Sequence, residues 1–471
     1  METDSALPFW FSEALEKENP APPLSLDKDL STDVCIVGGG YTGLWTAIQL
    51  KLQQADLDIV LIEKDLCGSG ASGRNGGCML TWAGKYLTLR ELYGTEEANR
   101  LVSASENALI HIRDFCKSHD IEADVRLDGV LNTATNSAQL GALDPAIQAL
   151  EEQDLNHWER WPKEDVQKAS GSSEHLEGFF SSAGGSLQPG ILVRGLRRVA
   201  KQLGVQIYEK TPFIGLEETT PVCVNTPGGK ITAKKVVLAL NAWMPTCFPA
   251  FRNTIMLVSS DMAITEPVPD ILNDCGFKDG KAVIDSRAFV HYYRRTSEGR
   301  LMMGKGGNLI SYGNRVSRKF DEASQYFLQL RGAITRFFPA LSGQQIETTW
   351  TGPSDRSATG LPFFGMLNGN KNILYGFGYS GNGVGQCYVG GQFLSAMALE
   401  QDNEWTQSLM AKGPLRRFPP EPFRWFGAIV VKNAIQRKER MEDRGLPSWW
   451  IDRQLAKVAA VTAGRWKPGR K

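Results

Sequence analysis

The chain has 471 residues, 42% of them hydrophobic and 22% charged, and its 52 basic and 52 acidic side chains cancel to a formal net charge of zero. That length allows two domains with a large buried core, while the charge balance argues against a nucleic-acid partner and the lack of an 18-residue apolar run argues against a membrane span. Eight cysteines without C-x-x-C spacing and five scattered histidines exclude a disulfide scaffold and a structural metal cluster, and point to a reducing, cytoplasmic setting.

Phe9, Trp10 and Phe11 precede a proline-rich stretch, Pro20 to Pro23, and read as an aromatic patch laid on the body of the protein. No basic start followed by a long apolar stretch occurs there, so no secretory leader is expected. Organisation begins at Val34, with VCIVGGGYTGLWTAIQL. Val34, Ile36 and Val37 predict a buried strand, Gly38, Gly40 and Gly43 form G-x-G-x-x-G, and Leu44, Ala47, Ile48 and Leu50 mark a following helix. Gly38 permits the tight turn, Gly40 lets backbone approach a pyrophosphate, and Gly43 allows close helix-strand packing. A second strand, Asp58 to Ile62, ends at Glu63, 20 residues beyond Gly43, where a carboxylate accepts hydrogen bonds from an adenosine ribose. The run CGSGASGRNGG at 67–77 is too rich in small residues for a good helix. It suits close backbone wrapping, with Ser69 and Ser72 donating to phosphate oxygens and Arg74 adding a positive fork, although a merely flexible loop has the same composition.

Thr88 to Ile121 is predicted helical, Val125 to Thr133 a strand and Ser137 to Glu152 a helix; together they open an inserted domain, in which His111, His119 and His157 read as surface or packing residues. After SSAGGSLQPG comes an amphipathic helix with Leu192, Leu196 and Val199 on one face and Arg194, Arg197, Arg198 and Lys201 on the other, the charged side reading as solvated. GVQIYE and ITAKKVVLAL return to α/β structure, and the insertion resumes with an extended stretch from Ile255 to Ile264. AFVHYYRR, Ala288 to Arg295, and Leu301 to Met303 flank TSEGR, a hairpin turn. Alternation sets Phe289, His291, Tyr293 and Arg295 on one face and Val290, Tyr292 and Arg294 on the other. An amphipathic segment around Ala323 to Phe338 leads to ETTWTGPSDRSATGLPFFG, a Gly/Pro-rich run, and then to ILYGFGYSGNGVG, where a strand enters a second glycine loop and Val389, Phe393, Leu394 and Ala398 mark the next helix. Residues 401–471 carry 15 Lys/Arg against 7 Asp/Glu, with two predicted helices, one through Phe426, Ile429, Val430, Ala434 and Ile435 and one from Asp452 to Val461. Arg465, Lys467, Arg470 and Lys471 make a basic end suited to peripheral contact with an anionic surface.

The stretches GGGYTGLWTAIQL, GASGRNGG, WTGPSDRSATGLPFFG and LYGFGYSGNGVG, with Glu63, resemble the amino-acid and amine oxidase family of flavoproteins typified by D-amino-acid, glycine, sarcosine and glutamylputrescine oxidases. Within it the later runs are most similar to the glutamylputrescine-oxidase-like branch and its aminophosphonate oxidoreductases. The resemblance implies an α/β fold: a Rossmann-like FAD-binding domain (30–87, 171–247 and 345–402), an inserted antiparallel-sheet substrate domain (88–170 and 248–344), and a basic helical C-terminal extension (403–471). Noncovalent FAD is implied, held by Gly38, Gly40, Gly43, Glu63, Lys64, Ser69, Ser72, Arg74, Asn75, Gly76, Gly77, Pro212, Thr359, Gly360, Leu361, Gly381, Asn382, Gly383 and Val384, with Asn241 to Trp243 beside it. Substrate lies between sheet and flavin in such enzymes, making Tyr292 and Arg294 the favoured site residues and His291 and Tyr293 alternatives. Lys305 is either a lysine near the flavin that favours reaction with oxygen or part of a surface turn. The expected chemistry is oxidation of an amine, amino acid or aminophosphonate to an imine that hydrolyses to a carbonyl product, with oxygen or another acceptor reoxidising the flavin. A noncatalytic flavin-dependent binding or assembly role is the alternative.

Overall fold

Apolar runs buried on both faces become the parallel centre of the first sheet. In a computed structural model that describes residues 7–462, the strand Leu30–Val37 lies between Ile59–Ile62 and Gly229–Leu238, parallel to both. From edge to edge the order is Phe363–Met366, Ile373–Phe377, Gly229–Leu238, Leu30–Val37, Ile59–Ile62 and Gln206–Tyr208, with a meander, Gly215–Glu217 and Val222–Thr226, attached to the long third strand. Only Phe363–Met366 runs antiparallel along that path. This is the doubly wound arrangement that leaves a crevice at the carboxyl ends of the central strands. The helices after the two glycine runs, Tyr41–Gln53 and Gln386–Ala398, pack on each other so closely that a Cβ at Gly391 would stand 3.0 Å from the backbone of Trp45. Their contact brings the late glycine loop beside the first one.

The second sheet has eight strands in the order Ile346–Ser357, Ile255–Thr265, Leu301–Ile310, His291–Arg295, Ala282–Asp285, Val130–Ala134, Glu177–Ser181 and Trp158–Trp161. It is antiparallel except where Ala282–Asp285 runs parallel to Val130–Ala134, the pairing that joins the two separated pieces of the insertion. Two strands depart from the expected segmentation. Glu177–Ser181 and Ile346–Ser357 pair in this sheet, although the cuts at 171 and 345 assigned both to the cofactor unit. The latter opens the run read as Gly/Pro-rich; its Pro353 is tolerated because Ile346–Ser357 is the edge strand. The long helical region divides at Gly94 (φ 84°) into Tyr86–Tyr93 and Thr95–Ser118.

The amino-terminal helix Phe9–Glu18 buries Trp10 and Phe11 against the glycine-rich loop and the helix Pro189–Gln202, where a Cβ at Gly190 would meet the carbonyl of Trp10 at 2.1 Å. Arg194, expected on a solvated face, is 3% exposed. It is paired with Glu18 and, at 2.9 Å, with buried Glu209, whose other oxygen takes Arg197. A face that looked solvated by periodicity is covered because its partners are remote in sequence. The extension forms two packed helices, Phe423–Glu442 and Trp450–Thr462, whereas the basic end Arg465, Lys467, Arg470 and Lys471 lies outside the described residues. No described helix is long and apolar enough to cross a membrane.

Candidate active site

The first fingerprint closes as its glycines require. Gly38 sits at φ 113°, and a Cβ at Gly43 would stand 2.0 Å from the Gly38 carbonyl oxygen. Gly40, with an ordinary φ of −85°, faces only Ser72 Oγ at 3.0 Å. That hydroxyl accepts from Tyr41 N at 2.9 Å, at the start of the helix where the positive end of the peptide dipoles favours an anion. Glu63 accepts from Gly39 N at 2.8 Å and from Asp65 N at 3.0 Å, and its carbonyl takes Thr211 N at 2.8 Å, which brings Pro212 beside it. Burial raises the Glu63 pKa against the pull of those two amides. Lys64 is half-exposed, 3.3 Å from Asp65 and 4.7 Å from the centre of the Trp243 ring.

The loop after the second strand is held by its own side chains. Arg74 donates to Ser69 O at 2.7 Å and to Phe320 O at 2.5 Å and pairs with Asp321 at 2.9 Å, so the fork expected to face the cofactor ties the loop to the insertion instead. Asn75 donates to Ser72 O at 2.8 Å and accepts from Gly77 N at 2.9 Å. Gly76 lies under the Tyr292 ring, where a Cβ would approach within 2.5 Å.

A cavity of about 430 Å³ runs from Tyr41, Ser72, Asn75 and Gly76 to the late loop Tyr379–Val384, roofed by the second sheet at Ser260, Tyr292, Gly306 and Gly352. Of the expected cofactor residues, Ser72, Arg74, Asn75, Gly76, Gly360, Gly381, Asn382, Gly383 and Val384 line it. Gly38, Gly40, Gly43, Glu63, Lys64, Ser69, Gly77, Pro212, Thr359 and Leu361 lie outside its lining, the first group around the strand ends and the last two in a turn closed by Ser357 Oγ donating to Leu361 O at 2.7 Å. The same cavity also has Lys85, Leu87, Leu143, Pro145 and Trp158 in its lining.

Two further residues complete the site. Buried Asp355 takes the amides of Gly378, Tyr379 and Ser380 and so fastens the late loop to the edge strand; burial pushes its pKa up to about 6. Arg356 lines the cavity with its guanidinium 3.5 Å from the Cβ position of Gly306 and 3.7 Å from that of Gly381, between roof and late loop. The charged dipeptide within an otherwise small and apolar run, GPSDRSATG, was the available signal for both.

The hairpin separates the substrate candidates. Tyr292 lines the cavity, its hydroxyl 2.9 Å from Ser260 Oγ, and its ring occupies the space left by Gly304 across the sheet. Arg294 shares that face but lies outside the cavity. It is fully buried under the amino-terminal helix, stacked 4.6 Å from Trp10 and donating from Nε to Gly76 O at 2.7 Å, and burial pushes its pKa down to about 10. Arg294→Leu is therefore expected to leave the ratio of flavin-reduction rates by anionic and neutral amines within about twofold of wild type, whereas a lost substrate contact would lower it about tenfold or more. Rapid-mixing reduction with both amine classes decides between them. Tyr293 and His291 point to the opposite side, into the helix Phe327–Phe337. Tyr293 Oη donates to Ser170 O at 3.0 Å, and His291 Nδ1 lies 3.0 Å from Asp285 Oδ2 with its pKa lowered by burial. Lys305 pairs with His291 across the strands and donates to Phe289 O at 3.2 Å, so it too faces away from the cavity and not toward the expected flavin site; burial lowers its pKa.

The cavity wall offers unpartnered polar atoms to a bound group. Asn241 Oδ1 and Ser354 Oγ, on residues that line it, are buried without a protein partner. The chain matches the family model described as DAO, FAD dependent oxidoreductase, over residues 33–397. It is 30% identical to gamma-glutamylputrescine oxidoreductase of Escherichia coli over 80% of this chain and 86% of that one, and 28% identical to the probable oxidoreductase OrdL of Rhizobium meliloti over 84% and 89%. Among solved structures, glycine oxidase from Geobacillus kaustophilus superposes with a TM-score of 0.65 at 17% identity, covering 79% of this chain and 96% of that one. L-Amino acid deaminase from Proteus myxofaciens, in complex with anthranilate, gives 0.65 at 17% identity over 82% and 94%.

Proposed function

Because the chain belongs to the family of FAD-dependent oxidoreductases, we propose that it oxidises an amine bearing a carboxylate or phosphonate, at the carbon attached to nitrogen, with Arg356 holding the anion. FAD, when bound, supplies the two-electron acceptor, and oxygen or another acceptor regenerates it. Gly38, Gly40 and Gly43 would leave room for its pyrophosphate at the start of Tyr41–Gln53, Glu63 would take the adenosine ribose, and the late loop Gly381–Val384 would line the part of the site away from that end. The amine gives up a hydride equivalent and becomes an imine, which water hydrolyses to a carbonyl compound and ammonia or a smaller amine. Tyr292 and the roof strands exclude solvent from the reacting carbon and fix its approach. Among the described residues no histidine lines the cavity, so a proton on the substrate nitrogen would be lost before binding, to water, or to another titratable group of the lining.

The observation that carries this reading is a guanidinium fixed between roof and late loop on the cavity wall. The relative named for gamma-glutamylputrescine supports an extended amine with an acidic end, for which the apolar arm toward Leu87 and Trp158, with Lys85 on its wall, leaves room. Anaerobic mixing with gamma-glutamylputrescine, 2-aminoethylphosphonate, amino acids and an amine lacking an anion should bleach the oxidised flavin with the anionic amines. In Arg356→Leu the apparent Kd of those amines should rise about 10- to 100-fold, from a charge-assisted pair of about 1.5–3 kcal/mol, with the uncharged competitor little affected. Equal loss for both classes would remove Arg356 from this role, and stable flavin under the whole screen would favour a noncatalytic flavin-binding protein.

A further inference from the structure

The wall of the cavity at Asp285, Ser286, Ala288 and Val290 connects two strands of the second sheet and carries a buried arginine, Arg287, that points away from the cavity's polar centre into a carboxylate clamp. Arg287 Nε donates to Asp285 Oδ2 at 2.9 Å, Nη2 donates to Thr135 Oγ1 at 3.1 Å, and both terminal nitrogens donate to Asp443, at 2.8 and 2.5 Å. Asp443 also accepts from Asn136 at 2.9 Å. One turn earlier on the same helix, Glu439 Oε1 accepts the Ala288 amide at 2.9 Å. Both acids belong to the extension, beyond residue 397 where the family match ends. A loop between strands would ordinarily satisfy its amides with water. Here Ser286 N donates to Thr133 O and Arg287 N to Asp285 Oδ1, while the Ala288 amide is satisfied by a helix from outside the matched region.

We propose that the carboxyl-terminal extension is part of the substrate site at one remove: Asp443, with Glu439, positions the wall 284–290 and thereby sets how tightly the amine is held, without touching it. Arg287 is the intermediary. Its guanidinium is spanned by Asp285 on the wall and Asp443 on the tail, so the docked tail helix adds an anchor to the wall beyond those within the sheet. Burial works to raise the Asp443 pKa, but the Arg287 guanidinium outweighs it and holds the carboxyl below the ordinary range, so the clamp is charged at neutral pH. Lys305, facing the same helix from the neighbouring strand, adds positive charge near Glu439.

The test uses the full-length holoenzyme and has two arms. In hydrogen exchange without substrate, Asp443→Ala should speed exchange in 284–290 about tenfold or more while the fingerprint 34–44 is unchanged. Asp443→Glu should restore part of the protection, and Arg437→Ala, which breaks only the Arg437–Asp452 pair within the extension, should change neither segment. In anaerobic reduction by gamma-glutamylputrescine, Asp443→Ala and Glu439→Gln should raise the apparent Kd about tenfold with the limiting reduction rate within about twofold. Unchanged exchange at 284–290, exchange that rises equally throughout the molecule, or a fall in limiting rate at constant Kd would each overturn the proposal. The kinetic arm rests on the substrate reading above; if this amine fails to reduce the wild-type flavin, that reading loses this substrate and the exchange arm alone decides the positioning role.

Discussion

Gly40→Val is expected to fold, keep its helix content and lose bound FAD, while Gly43→Val is expected to yield no folded protein. The two glycines lie on the same turn and differ in what surrounds the missing side chain. At Gly40 the backbone is in the extended region that valine prefers, φ −85° and ψ −175°, and the sole near neighbour of a new Cβ is the Ser72 hydroxyl at 3.0 Å, the tip of a small side chain that rotates aside. The added methyls would therefore occupy the space through which a pyrophosphate reaches the helix amides. Each charge-assisted hydrogen bond lost there is worth about 1.5–3 kcal/mol, so one or two of them weaken FAD binding by at least about tenfold and more readily a hundredfold. At Gly43 the Cβ would lie 2.0 Å from the Gly38 carbonyl and 3.2 Å from Ile36 Cγ2. A backbone oxygen at the end of the central strand has no rotamer to escape into, and the strain falls on the strand-turn-helix unit that carries the whole cofactor domain, whose net stability is of order 5–15 kcal/mol. Flavin absorbance relative to protein absorbance, together with far-ultraviolet circular dichroism, reads both outcomes. Normal FAD content in soluble Gly40→Val would remove that glycine from the phosphate site.

Local glycine spacing explains why the cofactor half was legible in the sequence. Strand, G-x-G-x-x-G, helix, strand and Glu63 follow one another within about thirty residues, and each constrains backbone that is contiguous in the chain. The hairpin was legible too, since alternation assigns His291 and Tyr293 to one face and Tyr292 and Arg294 to the other. Which face met the cavity, and which residue on that face reached it, was not legible. Arg294 is withdrawn because Trp10, nearly three hundred residues earlier, covers it. Lys305 is turned toward the tail helix for an equally nonlocal reason, the docking of Glu439 and Asp443 on that side of the sheet, and His291 toward Phe337 of the later helix Phe327–Phe337. Arg194 was misplaced likewise, because its acids come from residues 18 and 209. Asp355 and Arg356 were obscured by Gly352 and Pro353, whose loop-like signature holds for central strands and fails at a sheet edge.

Asp355 carries the other large expected effect. Three consecutive residues of the late loop, Gly378, Tyr379 and Ser380, give their amides to this one carboxylate, and the loop they fasten contains left-handed conformations at Gly378 (φ 90°), Ser380 (φ 59°) and Gly381 (φ 82°). Replacing it with alanine leaves buried donors without acceptors at about 1–3 kcal/mol each, and the loop that faces the flavin loses its anchor. Asp355→Ala is therefore expected to lower the thermal midpoint of the holoenzyme by many degrees and to release FAD during purification. Asparagine keeps the shape, but one of its two terminal atoms becomes an N–H donor facing an N–H donor, so it should rescue only part of the loss. The pH dependence has a definite sign. Burial raises the Asp355 pKa from 3.8 to about 6, so between those values the folded state binds more protons than the unfolded state. The stabilisation linked to this group is thus complete below about pH 4 and is lost as pH rises through about 6, a change of at most about 3 kcal/mol. Asparagine does not titrate. The wild-type advantage over Asp355→Asn should accordingly narrow between pH 4.5 and pH 7, measured as the difference in unfolding midpoint at fixed FAD; a gap that stays constant or widens over that interval would show that the carboxyl is ionised throughout and that the amides, not burial, govern its charge.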